Sequence, residues 1–123
     1  MILVDTSVWI DHLRWPNARL SAALEGGQVV MHSFVVGELA CGNLRNRREL
    51  LSLWRKLPFV PQATDDEALG YIDRHQLMGL GLGYIDVHLL ASTALAGTAR
   101  LWTKDRQLAA VAAKLALAHD DSR

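Results

Sequence analysis

Short apolar runs separated by helical patterns are the feature that most constrains the fold of this 123-residue chain. Ile2–Val4, Val29–Met31 and Leu101–Trp102 are continuously apolar, as strands buried on both faces of a sheet are. A fourth candidate strand lies around Phe59 and Val60. Because helical spacing fills the stretches between these runs, the order indicates βαβ units and a parallel sheet covered by helices. The sequence predicts one α/β domain over residues 1–123.

The helical stretches start at residues that are typical of helix N-caps. These are Thr6 or Ser7, Asn17, Ser33, Thr64 or Asp65, and Asp105. A charged helix is predicted from about Arg45 to Lys56. The stretch from Tyr84 to Ala96 is apolar nearly all round, which predicts a helix buried on several sides.

Composition excludes several classes of protein. Thirteen Lys and Arg balance thirteen Asp and Glu, so overall charge gives no argument for a nucleic-acid partner. Cys41 is the only cysteine, which rules out an intrachain disulfide and cysteine-rich zinc sites, and we expect a small buried apolar residue there. No basic segment precedes the first apolar run, and no run approaches the roughly 18 residues needed to span a bilayer. We therefore expect a soluble cytoplasmic protein.

Four acidic residues stand where a parallel sheet gathers functional groups. Asp5 ends the first predicted strand, and Asp105 lies three residues after Trp102, the last residue of the final predicted strand. Asp86 lies in the first turn of the apolar helix, and Glu38 lies in the helix after the second strand. Ligands of open α/β sheets bind outside the carboxyl ends of the strands, so these acids are candidates for one site.

Each of these acids also has a purely structural interpretation, which stays open at this point. Asp5 and Asp105 could cap the helices that follow them. Asp86 could interact only with the helix macrodipole, and Glu38 could be a solvated surface residue. If the four carboxylates do converge, they repel one another, and a hard divalent cation with oxygen ligands offsets that repulsion. Such a cation promotes phosphodiester hydrolysis by polarising a phosphoryl oxygen and acidifying a water.

Four segments together carry a family resemblance. They are VDTSVWI at residues 4–10, SFVVGEL at 33–39, IDVHLLA at 85–91 and TKDR at 103–106. In this order they resemble the signature segments of the PIN-domain family, above all the VapC toxins of toxin–antitoxin pairs. The resemblance extends over essentially the whole chain, and four ordered segments are far more specific than any one of them.

The resemblance implies a metal-dependent endoribonuclease. In the family, acids at the positions of Asp5, Glu38, Asp86 and Asp105 form the active site with Mg²⁺ or Mn²⁺ bound, and the positions of Asp5 and Asp86 are the ligands most often assigned. It also implies an α/β/α sandwich whose mainly parallel sheet has about five strands, a homodimer, and a VapB-type antitoxin that blocks the site. Thr103 could orient a carboxylate by hydrogen bonding.

The chain departs from the family pattern just after Asp105. Many relatives carry an acid or asparagine and then an aromatic residue there, whereas this chain has Gln107 and Leu108. A neutral amide is a weaker ligand, which puts tight binding of a second metal ion in doubt.

Two other functions compete with the nuclease. A haloacid-dehalogenase-like phosphatase also has an aspartate after its first strand, but it needs a second aspartate two residues later, where this chain has Ser7. A PIN fold that only binds RNA or a partner would keep the family pattern without turnover. Metal-dependent turnover distinguishes these alternatives.

The remaining conspicuous residues have less specific interpretations. Trp15 and Trp54 are predicted to anchor an antitoxin, because aromatic residues dominate interface cores. Gly79, Gly81 and Gly83 predict a flexible hinge, since no strand precedes them and no Lys-Ser/Thr pair follows them. The Arg45, Arg47 and Arg48 cluster is either a solvated helix end or a phosphate contact. The histidines share no ligand spacing and are interpreted as structural or surface residues; they include His32, His75, His88 and His119.

Overall fold

A parallel sheet forms the centre of the fold. The structure is a computed structural model that describes residues 1–120. Its strands are β1 (Ile2–Val4), β2 (Val29–Val30) and β3 (Arg100–Trp102). β1 is the middle strand and pairs in parallel with both of the others, in the order β2-β1-β3. The carboxyl ends of β1 and β3 are therefore neighbours at one edge of the sheet.

The predicted number of strands, about five, is wrong for the described residues, in which the sheet has three. On its two sides the sheet gains only single parallel bridges, from Phe59 to Met31 and from Ala118 to Leu101. The strand predicted around Phe59 and Val60 is thus one bridge. Prolines at positions 58 and 61 flank it, and proline has no N–H to donate to a ladder.

Seven helices surround the sheet within residues 1–120. They are α1 (Thr6–Arg14), α2 (Ala18–Glu25), α3 (Ser33–Ala40), α4 (Arg47–Arg55), α5 (Asp65–His75), α6 (Tyr84–Ala96) and α7 (Arg106–Lys114). The predicted bounds of α6 are confirmed. α4 begins two residues later than predicted, after Asn46, whose φ of 53° lies in the left-handed region.

Most of the predicted helix starts are confirmed. Asn17, Thr64 and Asp105 accept hydrogen bonds from the first turns of α2, α5 and α7. Two starts differ by one residue. α1 is capped by Asp5, which accepts from the Thr6 N–H, and α3 is capped by the ring of His32, which accepts from the Phe34 N–H.

α6 forms the centre of the core beside the sheet. Its residues from Val87 to Thr93 are all buried, which confirms the prediction of a helix enclosed on several sides. It packs against α5 and β3, whereas α3 packs against α1 and α4. The leucines with no solvent exposure include Leu3, Leu89 and Leu90. No helix in the described part of the chain is both long and apolar enough to cross a membrane.

Two side chains differ from the sequence-based expectation. Trp54 was predicted to be an interface anchor, but it is buried and packs edge-on against Trp9 with ring centroids 5.7 Å apart. The amphipathic character of α4 directs Trp54 inward, because its charged residues take the outer side. Cys41 was predicted to be buried and is exposed at the end of α3.

Candidate active site

Asp5 and Asp105 follow the two neighbouring strands β1 and β3, and one hydroxyl connects them. The Thr103 Oγ1 donates to Asp5 Oδ2 at 2.7 Å and accepts from the Asp105 N–H at 3.1 Å. The two acids predicted from the ends of these strands are therefore brought together at the carboxyl edge of the sheet.

Asp5 is held by three hydrogen bonds in a nearly buried position, with 7% of its surface exposed. Its Oδ1 accepts from the Thr6 N–H at 2.7 Å, and its Oδ2 accepts from Ser7 Oγ at 2.9 Å as well as from Thr103. Two donors occupy Oδ2, so Oδ1 is the oxygen with acceptor capacity to spare. The carboxylate is oriented before any ligand arrives.

Glu38 is connected to the same place through the residue after Asp5. The Thr6 Oγ1 donates to Glu38 Oε1 at 2.8 Å. The Glu38 side chain is exposed, so its other oxygen remains accessible from solvent. The contact brings α3 to the start of α1 and adds a third carboxylate to the edge.

Asp86 faces the other acids from the first turn of α6. Its Oδ2 accepts from the Gly83 N–H at 3.1 Å. Burial raises the pKa of the Asp86 carboxyl, the Gly83 hydrogen bond opposes that rise, and the charges of Asp5 and Asp105 add to it. Asp86 is therefore near enough to Asp5 and Asp105 for their charges to act on it.

The acids suit an open metal site rather than a closed one. Within residues 1–120, no three His, Cys, Asp or Glu side chains converge closely enough to enclose a cation. Mg²⁺ usually keeps several waters and takes only one or two carboxylates directly. Asp5 Oδ1 and the carboxylate of Asp86 can supply those two. A cation there would favour the ionised form of Asp86, which burial and then the charges of Asp5 and Asp105 disfavour. The donor set fits a hard divalent ion.

The capping interpretation of Asp5 and Asp105 is confirmed, and it does not exclude a role in the proposed site. Asp5 caps α1, and Asp105 Oδ1 caps α7 by accepting from the Leu108 N–H at 3.0 Å. A cap hydrogen bond uses part of a carboxylate and leaves acceptor capacity for a ligand. Leu108, one of the two departures from the family pattern, is fully buried in the core, whereas Gln107 is exposed.

Sequence reasoning missed two parts of this edge. Ser7 Oγ donates to Asp5 and accepts from the Lys104 N–H at 3.0 Å, so it connects α1 to the loop after β3. Lys104 Nζ forms an ion pair with Asp11 Oδ2 at 2.7 Å on the outer side of that connection. The position of Ser7 two residues after Asp5 was a usable signal. Nothing local indicates the pairing of Asp11 with Lys104, because 93 residues separate them.

A groove of about 930 Å³ extends from Glu38 along α1 and α4. Its apolar lining includes Ile10, Leu13 and Leu53, all well exposed, and Trp15, which is 81% exposed. Charged side chains stand along it as well, and these are Arg14, Arg45 and Glu49. Apolar side chains this exposed beside a candidate site mark a surface for interaction with another molecule.

Comparisons with known proteins agree with the fold of this chain. A family model described as PIN domain matches residues 2–114. Ribonuclease VapC32 from two strains of Mycobacterium tuberculosis, CDC 1551 and H37Rv, is 47% identical over 118 residues, which cover 96% of this chain and 95% of the relative. The crystal structure of PAE2754 from Pyrobaculum aerophilum is similar in fold, with a TM-score of 0.62, 18% identity and 94% of each chain covered. The chain therefore belongs to the PIN-domain family and, within it, to the VapC ribonucleases.

Proposed function

We propose that this protein is the toxin of a VapBC-type pair and hydrolyses RNA phosphodiester bonds at the carboxyl edge of its sheet. Its catalytic residues are Asp5, Glu38, Asp86 and Asp105. The observation that carries the proposal is the set of contacts at this edge. Thr103 joins Asp5 to Asp105, Thr6 joins Glu38 to the residue after Asp5, and the charges of Asp5 and Asp105 act on Asp86. The phosphatase alternative is weakened, because Ser7 is engaged with Asp5 and the Lys104 N–H and has no carboxyl group to act as an acid.

Mg²⁺ or Mn²⁺ is the cofactor that this donor set fits, with Asp5 and Asp86 as its ligands. When bound, the ion would supply stabilisation of charge on the phosphoryl oxygens and a more acidic water. Glu38 keeps an oxygen free beyond its bond from Thr6, and it can accept a proton there. Asp105 is held at the edge by its own helix and by Thr103, and it contributes negative charge that attracts the cation.

The test is RNA cleavage by protein purified free of any antitoxin. Cleavage of structured or ribosomal RNA with Mg²⁺ or Mn²⁺ that disappears in EDTA is the expected result. Cleavage that persists in EDTA would reject the metal-dependent mechanism. If RNA binds tightly but no substrate is cut under any metal condition, the binding-module alternative replaces the nuclease.

An antitoxin of the VapB type is the proposed occupant of the groove beside Glu38. The groove combines an apolar lining with cationic residues and includes Glu38, so one extended segment lying in it could also reach the proposed site. We expect apolar side chains of that segment against Ile10, Leu13 and Leu53, with Trp15 as the exposed anchor. A basic side chain at its end could pair with the carboxylates in place of the metal.

Co-expression with the small protein encoded next to this one tests the antitoxin proposal. Toxicity should disappear and the two proteins should co-purify. Trp15→Ala should weaken the complex while RNA cleavage by the free toxin stays unchanged. Trp54→Ala, by contrast, should reduce stability through the lost contact with Trp9. A complex that is unaffected by Trp15→Ala and Leu13→Lys would exclude this groove.

The proposed homodimer has a surface with matching charges on α5. A cleft of about 450 Å³ between α5 and α6 is lined by Gly70, Tyr71, Glu67 and Arg74, among others. In sequence, Glu67 lies three residues before Gly70, and Arg74 lies three residues after Tyr71. The two charges are therefore symmetric about the middle of the Gly70–Tyr71 pair. Two copies of α5 packed antiparallel about a twofold axis would therefore pair Glu67 of one copy with Arg74 of the other.

Sedimentation of charge variants tests this arrangement. Arg74→Glu should give a monomer, because two glutamates would then face each other at both ends of the interface. Mixing it with a Glu67→Arg variant should restore mixed dimers. A dimer that persists in Arg74→Glu places the interface elsewhere.

A further inference from the structure

The first turn of α6 carries Asp86, yet the chain before it offers little to hold that turn in place. The preceding loop contains Gly79 and Gly81, both with φ above 70°, a region that favours glycine. Gly83 is the N-cap and has no side chain with which to close the helix. Apart from the Gly83 N–H, which donates to Asp86 Oδ2, the side-chain contacts that fix the rotation of this turn lie on the far side of α6.

Those contacts converge on one oxygen of Asp65. Its Oδ1 accepts from the Tyr84 hydroxyl at 2.8 Å and lies 3.2 Å from His88 Nε2. A carboxylate can only accept, so His88 Nε2 carries the hydrogen and donates it. The His88 ring is fully buried and packs edge-on against Tyr84, with centroids 4.6 Å apart. We name Asp65, Tyr84 and His88 the Asp65 clamp.

The geometry of an α-helix gives the Asp65 clamp its effect on Asp86. Tyr84 and His88 are four residues apart and lie on one face of α6. Asp86 stands midway between them in sequence, about 200° around the helix from each at 3.6 residues per turn. Holding Tyr84 and His88 toward α5 thus turns Asp86 toward the opposite side, where Asp5 and Asp105 act on its charge.

The element that carries Asp65 is itself well fixed. α5 begins with a capping box in which Thr64 Oγ1 accepts from the Glu67 N–H at 3.0 Å and Glu67 Oε1 accepts from the Thr64 N–H at 2.9 Å. Just before it, the Ala63 N–H donates to Ser92 Oγ on α6 at 3.0 Å. The start of α5 is thus joined to α6 at two places, through Ala63 and through Asp65. The backbone at Asp65 is therefore well fixed.

We propose that Asp65 is a positioning residue for the nuclease site, which fixes the first turn of α6 and so directs Asp86 at the cation shared with Asp5. This inference rests on the proposed function. The two hydrogen bonds, from Tyr84 first and His88 second, lower the pKa of the Asp65 carboxyl, which keeps it ionised as an acceptor. Asp66, the next residue on α5, is also an aspartate but makes no side-chain hydrogen bond within residues 1–120.

That neighbour provides a matched control. Asp65→Ala and Asp66→Ala remove the same charge from the same helix turn, but only the first breaks the Asp65 clamp. Mn²⁺ affinity of the whole protein, measured by calorimetry without RNA, should fall about tenfold in Asp65→Ala, the scale typical of lost support behind a metal ligand. Asp66→Ala should stay within about twofold of the original protein, as expected of a screened surface charge. Asp65→Asn keeps an oxygen acceptor at the same place and should recover most of the affinity.

Cleavage measured against metal concentration gives the second readout. Asp65→Ala should need more Mn²⁺ for half-maximal cleavage yet approach the original rate at saturation, because the ligand itself is intact. Tyr84→Phe, which keeps the ring and loses one hydrogen bond, should show the same shift to a smaller extent. It also serves as the decisive variant if Asp65→Ala does not fold.

The outcomes separate this inference from the proposed function. If the unmodified protein neither binds Mn²⁺ nor cleaves RNA, the proposed function fails. If it does both, and Asp65→Ala and Tyr84→Phe bind Mn²⁺ as it does, the positioning role is overturned while the nuclease stands. Equal losses in Asp65→Ala and Asp66→Ala would also overturn it, since charge alone would then explain them.

Discussion

Asp5 and Asp86, the two proposed metal ligands, have opposite surroundings. Asp5 follows a central strand, is nearly buried, and accepts hydrogen bonds from Thr6, Ser7 and Thr103. Asp86 follows a glycine-rich loop, is half-buried, and accepts a single backbone hydrogen bond from Gly83. Burial and its acidic neighbours raise the pKa of Asp86, so its charge is unfavourable in the absence of a cation.

This difference means that the two sides of the proposed site, which we call the Asp5 half and the Asp86 half, are held in place in different ways. The Asp5 half is preorganised by hydroxyl donors on α1 and on the loop after β3, so it should hardly change when a cation arrives. The Asp86 half keeps unrelieved repulsion and depends on the remote Asp65 clamp. We therefore expect substitutions in the two halves to have similar effects on cleavage but opposite effects on stability.

The largest expected effect comes from removing either charge. Asp5→Asn and Asp86→Asn should each reduce cleavage by about 100-fold or more, the scale of losing one preorganised electrostatic group. Asp5→Asn should also destabilise the metal-free protein by about 1–2 kcal/mol, because charged acceptors make the stronger hydrogen bonds. Asp86→Asn should leave it equally or more stable, since repulsion is relieved. Thermal unfolding in EDTA measures both, and the comparison fails if the two variants shift the melting temperature in the same direction.

Removing the hydroxyl that connects Asp5 to Asp105 should have the next largest effect. Thr103→Val keeps the shape of the side chain, but it loses the donor to Asp5 and the acceptor for the Asp105 N–H. We expect about a tenfold loss of cleavage, as for other groups that support a metal ligand. Thr103→Ser retains the hydroxyl and should be close to the original protein. Full activity in Thr103→Val would show that Asp5 needs no such orientation.

Acid should weaken the contacts that His32 makes between α3 and α6. Burial, and then the proximity of His88, lowers the pKa of His32 to about 4 from its ordinary value of 6.5. Between those values the unfolded chain binds a proton that the folded chain does not, so stability from neutral His32 is present above pH 6.5 and is lost as pH falls toward 4. His32 caps α3 and contacts Ser92 of α6. Amide exchange at pH 7 and pH 5 should therefore show greater loss of protection in α6 than in α1.

A matched variant sharpens the pH comparison. His32→Asn cannot titrate, and asparagine is also a good N-cap, so the start of α3 should persist. Its free energy of unfolding should vary less between pH 6.5 and pH 4 than that of the original protein. An unchanged pH dependence would assign the acid sensitivity to other groups.

The smallest effect is expected at the outer side of the Asp5 half. The ion pair of Lys104 and Asp11 is about half exposed on both sides, and such pairs contribute less than about 1 kcal/mol. Lys104→Met should therefore change stability by no more than that, and the effect should vanish in high salt. If Lys104→Met lost as much RNA cleavage as Thr103→Val, the ion pair rather than the hydroxyls would set the position of the loop after β3.

The parts of the molecule that local chemistry determines could be predicted from the sequence. The apolar run before Asp5 and the all-round apolar stretch from Tyr84 to Ala96 carry their own pattern, so β1 and α6 were identified with correct or nearly correct bounds. The caps at Asn17 and Thr64 followed from side-chain chemistry in the same way. Ordered family segments then singled out four acids, of which Asp5 and Asp105 follow neighbouring strands and are linked through Thr103.

Long-range contacts were out of reach of such reasoning. The pairing of Lys104 with Asp11 and the convergence of Tyr84 and His88 on Asp65 join residues far apart in the chain. Trp54 was assigned to the surface because the pattern of α4 gives amphipathicity without saying which neighbour covers the apolar side. The number of about five strands came from the family resemblance, which does not say which outer strands are reduced to single bridges in the described part of this chain.

Those single bridges have a consequence for how the protein behaves in a crowded solution. A sheet with a long outer strand exposes a row of unpaired N–H and C=O groups, onto which another chain can add and begin to aggregate. Within residues 1–120 the outermost pairings are one residue each, at Phe59 and Ala118, and prolines flank the first of them. In this part of the chain, neither side gives a neighbouring chain a template long enough to extend. The shortness of the sheet's outer pairings thus acts as a safeguard against fibrous self-association.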